Sequence, residues 1–258
     1  MKHDAGIEPM LNVYPDLPAL ARAVAGEVAE LARAAIQGKG RFTVALAGGN
    51  TPRSLYALLA REYAEQISWS AVHPFWADER YVPLEDPRSN YKMARETLLH
   101  HVSIPPQNIH PMPTNFPVPE DAARAYEKTL KEHFPAPWPE FDLVLLGLGP
   151  DGHTASLFPG TSALAEGKKW AVAVRAPVEP PVRLSLTFPV LNHASHIFFL
   201  VSGSEKAEAV RRALAAPPDP ITCPASAVRP LRGAARWWLD QSAAAYVSPS
   251  KAHGAESP

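Results

Sequence analysis

At 258 residues, 46% of them hydrophobic, the chain can bury a substantial core and form one large α/β domain. Its 25 Lys and Arg against 26 Asp and Glu leave a formal charge of −1, so the basic footprint of a nucleic-acid binder is missing. No apolar run approaches the ~20 residues of a membrane-spanning helix, and a single cysteine, Cys223, excludes an internal disulfide.

In chain order, Met1 to Met10 carries no signal-peptide pattern, which together with the lone cysteine leads to the expectation of a cytoplasmic protein. Asp16 is placed to cap a helix from Leu17 to about Gln37. Leu20, Val24, Val28, Leu31 and Ala35 share one face of it, and Gly38 is expected to end it. Phe42–Leu46 reads as a buried strand. It empties into Ala47-Gly48-Gly49-Asn50-Thr51-Pro52, where Thr51 is the natural N-cap and Pro52 the first helical residue. The N–H groups of Gly49, Asn50 and Thr51 would then line an anion-binding nest suited to a phosphate monoester, the alternative being an ordinary capped turn.

A second strand, Val72–Trp76, runs into Asp78-Glu79-Arg80. Arg80 offers a planar fork for phosphate or carboxylate oxygens; a solvated charge cluster is the competing reading. Helical patterns follow at Tyr91–Leu99 and Asp121–Phe134.

Phe141–Leu146 is a continuous apolar run, as expected of a strand covered on both faces. It opens into the glycine-rich turn Gly147–Gly152. Asp151 and His153 flank Gly152. In an extended turn they would face the same way, so the carboxylate could orient the imidazole and His153 could activate water. The turn also spells G-x-G-x-x-G, but Pro159 forbids the long helix that a dinucleotide site requires, and no cofactor is expected. After this turn come Trp170–Val174, a patterned segment from Leu184 and the strongly apolar Ile197–Val201, and a last strand is expected at Ala235–Leu239. Ser204 could cap a helix running to Leu214, in whose first turn Lys206 opposes the helix dipole unless an anion sits between them.

His100, His101, His193 and His196 have no acidic partners, no histidine pair shows metal-ligand spacing, and no metal site is expected. G-x-S-x-G is absent as well. Alternating strands and helices imply right-handed βαβ units. The expectation is a Rossmann-like α/β fold: a mainly parallel twisted sheet with helices on both faces, one domain over 1–247 and a disordered tail at 248–258.

Four segments together resemble the 6-phosphogluconolactonase family: Gly48-Gly49-Asn50-Thr51-Pro52, Ala77-Asp78-Glu79-Arg80 with Ser89-Asn90-Tyr91, Gly147 to Pro159, and Ser202-Gly203-Ser204-Glu205-Lys206-Ala207. The resemblance implies cofactor-free hydrolysis of a small sugar-phosphate lactone; the charge balance and the short apolar runs lead to the expectation of no nucleic-acid or membrane partner. It implies His153 as the water-activating residue beside Asp151, and Gly48, Gly49, Asn50, Thr51, Arg80 and Lys206 as phosphate or substrate contacts. Arg183 matches a family position within Pro180 to Thr187. Asn50 departs from the serine frequent in this loop, replacing a hydroxyl contact by an amide. Two other readings compete: glucosamine-6-phosphate deaminase, a relative with a similar phosphate loop, and a non-catalytic sugar-phosphate sensor. The deaminase usually follows Asp-Gly-His with a glutamate and carries tyrosine where Arg80 stands; Ser156-Leu157-Phe158-Pro159 supplies no such acid. The sequence leaves the oligomeric state open and is compatible with a monomer.

Overall fold

Three runs of apolar residues, Phe42–Leu46, Leu143–Leu146 and Ile197–Val201, are buried at every position, which only a strand with cover on both faces can be. In the computed structural model, which describes residues 9–135 and 137–247, they form the middle of a six-stranded sheet. The tail expected at 248–258 lies outside the described residues.

The elements run β1 (Met10–Tyr14), α1 (Leu17–Lys39), β2 (Phe42–Leu46), α2 (Asn50–Glu62), β3 (Val72–Trp76), β4 (Asp78–Arg80), α3 (Asn90–Thr97), α4 (Pro119–His133), β5 (Leu143–Leu146), β6 (Ala171–Arg175), β7 (Val182–Leu186), α5 (Phe188–Asn192), β8 (Ile197–Val201), α6 (Ala207–Ala213) and β9 (Ala235–Asp240). The large sheet has the order β1-β9-β8-β5-β2-β3, and every pairing in it is parallel. From β2 the chain moves outward to β3; from β5 it moves the other way, to β8 and β9. The loops after β2 and β5 therefore leave adjacent strands in opposite directions, opening the crevice where such sheets bind ligands. A small antiparallel sheet, β4-β7-β6, stands beside it. Ala77 joins the two: its N–H donates to Leu46 of β2, and its carbonyl accepts from Leu186 of β7.

Several local expectations need correction. α1 passes through Gly38 and ends at Gly40, whose left-handed conformation (φ 76°) lets its N–H reach Ile36. Asp16 does cap that helix, accepting from Ala19 N–H at 2.8 Å. α2 starts at Asn50 with Gly49 as N-cap, so Thr51 is helical and Pro52 is the third residue. Proline fits there because N–H groups of the first turn have no intrahelical acceptor to lose. Gly203, not Ser204, precedes the short turn at Ser204–Lys206 that leads into α6. β1 was not expected, being an edge strand with one buried residue, and Asp78–Arg80 is a strand rather than a loop.

The absence of a metal site was inferred from local spacing, and the fold undercuts that inference. His73 on β3, His110 and His133 at the end of α4 converge, each offering one nitrogen within 4.8 Å of the others. Burial and the two neighbouring imidazoles hold His110 down to about 4, and burial, Arg41 and His133 lower His73.

Candidate active site

β5 ends at Leu146, and the following turn holds itself together. Gly149 N–H donates to the His153 carbonyl at 2.8 Å, Gly152 N–H to Gly149 at 2.9 Å, and Thr154 Oγ1 to Gly147 at 2.8 Å. Gly152 has φ 91° and packs on Cys223, where a Cβ would stand 2.7 Å from Sγ. The turn is therefore tight rather than extended, yet it delivers the expected pair. Asp151 Oδ1 accepts from the His153 backbone N–H at 3.1 Å and lies 2.6 Å from Nδ1. A carboxylate can only accept, so Nδ1 carries the proton and Nε2 keeps its lone pair. Burial works against the Asp151 charge, but the hydrogen bonds from His153 prevail and hold its pKa below the ordinary value. Phe158 stacks on the imidazole at 4.1 Å between centroids. Gly149 leaves room for it: a Cβ there would meet Nδ1 at 2.0 Å.

The loop after β2 is clamped by buried Tyr56, whose hydroxyl bonds both the N–H and the carbonyl of Ala47. Gly49 (φ 104°) turns the chain into α2, leaving Asn50 and Thr51 N–H groups at the helix start without intrahelical acceptors. Gly48 admits the Asn90 carboxamide so closely that a Cβ would meet Oδ1 at 1.9 Å. Asn90 Nδ2 donates to the Asp78 carbonyl at 2.9 Å, while its buried Oδ1 has no protein partner.

Asp78 and Glu79 are buried, so the solvated-cluster reading fails. Ser156 Oγ donates to Asp78 Oδ2 at 2.6 Å, tying the histidine loop to the small sheet. Glu79 collects the N–H groups of Arg80, Asn90 and Tyr91, each at 2.7 Å, and Ser89 Oγ at 3.1 Å, and so fixes the start of α3. Burial nevertheless pushes its carboxyl up to about 7.

Arg80 and Arg183 stand directly opposite each other in the β4–β7 register. Arg80 Nη1 donates to Arg88 O at 2.8 Å, and Arg183 Nε to Pro180 O at 2.8 Å; neither makes an ion pair among the described residues. Like charges facing across a strand pair are unfavourable unless an anion joins them. Burial and the Arg80 charge lower the Arg183 pKa, opposed by Asp78 and Glu79. After β8, buried Asp240 accepts from Ser202 Oγ and Gly203 N–H and sets the course of the loop to Lys206. Lys206 ion-pairs with no carboxylate among the described residues, neighbouring Glu205 included.

One cleft of about 520 Å³ is lined by Gly48, Gly49, Asn50, Thr51, Arg80, His153, Arg183 and Lys206, so the sequence-predicted contacts come together. Asp151 stands behind His153. Asn90, Asp78 and Glu205 also line the cleft and are not among the expected contacts, although each lies in a segment that carries the family resemblance. The Gly149 and Gly152 N–H groups are occupied within the turn, so neither is free to stabilise a reacting oxyanion.

A family model described as glucosamine-6-phosphate isomerases/6-phosphogluconolactonase matches residues 15–237. The chain belongs to this family. It is 44% identical over 218 residues to a protein named 6-phosphogluconolactonase from Synechocystis sp., covering 83% of this chain and 88% of that one. The solved structure of 6-phosphogluconolactonase from Trypanosoma brucei shares 32% identity and a TM-score of 0.84, covering 94% of this chain and 100% of the other. A monomeric glucosamine-6-phosphate deaminase, 24% identical, has a TM-score of 0.79 over 92% of this chain and 99% of its own. The fold thus spans both activities of the family, and the choice between them rests on the site.

Proposed function

We propose that this chain hydrolyses 6-phosphoglucono-δ-lactone to 6-phosphogluconate, a step of the oxidative pentose phosphate pathway, with His153 as the base that activates water. One observation carries the reading: the Asp151 hydrogen bond leaves His153 Nε2 with its lone pair in the cleft that also holds Arg80, Arg183, Lys206 and the start of α2. A δ-lactone is an activated ester, so general-base help of roughly 10²–10⁴-fold and positioning through a remote phosphate are sufficient, and no metal or cofactor is called for.

His153 Nε2 takes a proton from water as the water oxygen adds to the carbonyl carbon. The guanidinium groups of Arg80 and Arg183 are the charged donors available to the developing oxyanion or to the phosphate. Collapse of the tetrahedral species breaks the bond from that carbon to the ring oxygen. The ring oxygen takes the proton from His153, which restores the base. Lys206 and the Asn50 and Thr51 N–H groups serve the phosphate.

The segment after Asp-Gly-His favours this reaction over deamination. Its Ser156 binds Asp78, and Ser156 to Pro159 supply no acid to the histidine. The test measures lactone turnover above the uncatalysed rate alongside ammonia release from glucosamine-6-phosphate; ammonia release as the faster activity overturns the assignment. No described helix is long and apolar enough to cross a membrane. We place the reaction in the cytoplasm, and the absence of a cysteine pair supports this.

A further inference from the structure

We propose that His73, His110 and His133 bind one divalent transition-metal ion, zinc before others, at the end of the parallel sheet away from the catalytic cleft. His73 is the second residue of β3, paired with Thr43 near the start of β2, whereas the cleft opens where these strands finish. The three residues lie far apart in sequence, yet each offers a nitrogen within 4.8 Å of the other two. Tetrahedral zinc with imidazole nitrogens at about 2.0–2.1 Å needs them about 3.3 Å apart, so small ring rotations close the site.

The hydrogen bonding is that of ligands waiting for an ion. His133 Nδ1 donates to Thr129 O at 2.8 Å, which assigns the lone pair to Nε2 and holds the ring, as outer partners of zinc-binding histidines do. His73 Nδ1 and His110 Nε2 are buried with no hydrogen-bond partner. In the tautomers that leave these two nitrogens unprotonated, each is a buried acceptor without a donor, which is costly, and a metal ion fills that role. The His110 and His133 rings lie 4.1 Å apart, with Phe75 4.4 Å from His110, so the surroundings are largely apolar.

Three neutral imidazoles suit zinc, copper or nickel, whereas magnesium and calcium need oxygen donors. The charged neighbour is Arg41, whose guanidinium donates to His133 O at 2.9 Å. Its positive charge favours an anionic fourth ligand such as hydroxide over neutral water. Because the His110 backbone N–H also donates to Pro74 O, the ion would tie β3, the segment before α4 and the end of α4 into one unit.

The test is calorimetric titration of the metal-stripped full-length protein with zinc chloride, with thermal unfolding measured in parallel. One tight site per chain is expected, and a rise in Tm of about 5–10 °C once zinc exceeds Kd about 100-fold. Magnesium should do neither, and cobalt(II) should show the intense visible bands of a four-coordinate site. His110→Phe and His133→Gln should each abolish all three signals while keeping the wild-type circular dichroism. His133 is only half-buried, so His133→Gln supplies the comparison if His110→Phe fails to fold. Stripping the metal should leave lactone turnover unchanged, so failure of this proposal is separable from failure of the proposed activity. No tight zinc binding, or equal binding by wild type and variants through exposed histidines such as His100 and His101, overturns the proposal.

Discussion

The six-stranded sheet reaches the cleft through loops leaving the ends of its strands, whereas the three-stranded sheet reaches it through side chains on paired strands. The loops after β2 and β5 work largely with backbone. Glycines make the turns, helix-start N–H groups are left without intrahelical acceptors, and a single imidazole is held by its neighbour two residues away. The small sheet works with fixed charge: Arg80 and Arg183 face each other in register, set on a buried floor of Asp78 and Glu79. The larger sheet thus supplies the proposed base and the proposed anion nest, and the smaller one supplies arginines that pair with no carboxylate among the described residues. Removing a part from either should damage different quantities.

The largest loss should come from the loop after β5. His153→Ala is expected to fold and to bind substrate, and to lose roughly 10²–10⁴ in turnover. Near-normal kcat after subtraction of spontaneous hydrolysis removes the imidazole from the chemistry. Gly149→Ala sharpens the point, because its Cβ would stand 2.0 Å from His153 Nδ1 with the imidazole still present. Turnover should fall at least ~10-fold from displacement alone. A variant with unchanged kcat would mean that the ring position is not critical.

The small sheet offers a different measurement, stability against pH. Folding raises the Glu79 carboxyl from 4.5 to about 7. A carboxyl raised by folding favours the fold while protonated, so its contribution is complete below about pH 4.5 and is lost as the pH climbs through 7. Between pH 5 and 8 the wild type should lose about 2–3 kcal/mol relative to Glu79→Gln, which cannot ionise. Urea unfolding at four pH values in that window measures the difference directly. A constant gap would show that the four donors around Glu79, rather than burial, govern its charge.

The two sheets also differ in how far the sequence disclosed them. β2, β3, β5, β8 and β9 stand within a residue or two of their expected bounds; for β2, β5 and β8 this is because a strand covered on both faces must be apolar throughout. The Asp-Gly-His turn and the glycine loop were legible for a related reason: only glycine tolerates their conformations and close approaches. β4 was not legible. Three charged residues carry no period that marks a strand, and their burial depends on Ser156, Ser89 and Asn90, supplied by distant segments. Arg183 was visible only through family resemblance, since its opposition to Arg80 exists only in the paired sheet. The histidine cluster was hidden likewise, its members coming from β3, the segment before α4 and the end of α4.

The smallest expected effect tests whether Lys206 belongs with the charge of the small sheet or with the chemistry of the histidine loop. Lys206 lines the cleft, makes no ion pair among the described residues, and follows a loop that Asp240 positions. If it meets the substrate phosphate, one charge-assisted contact is worth roughly 1.5–3 kcal/mol, or about 10–150-fold in kcat/KM. Removing the phosphate from the ligand deletes the same contact from the other side, so the two losses should be sub-additive. The measurement is a double cycle: wild type and Lys206→Met, each with phosphorylated and unphosphorylated gluconolactone. Lys206→Met should be severe on the phosphorylated lactone and nearly silent on the other. Equal damage to both substrates would move Lys206 from phosphate recognition to the reacting end, beside His153. If the wild type hydrolyses both lactones equally well, the nest and the cleft cations serve no phosphate, and the larger sheet keeps only its base.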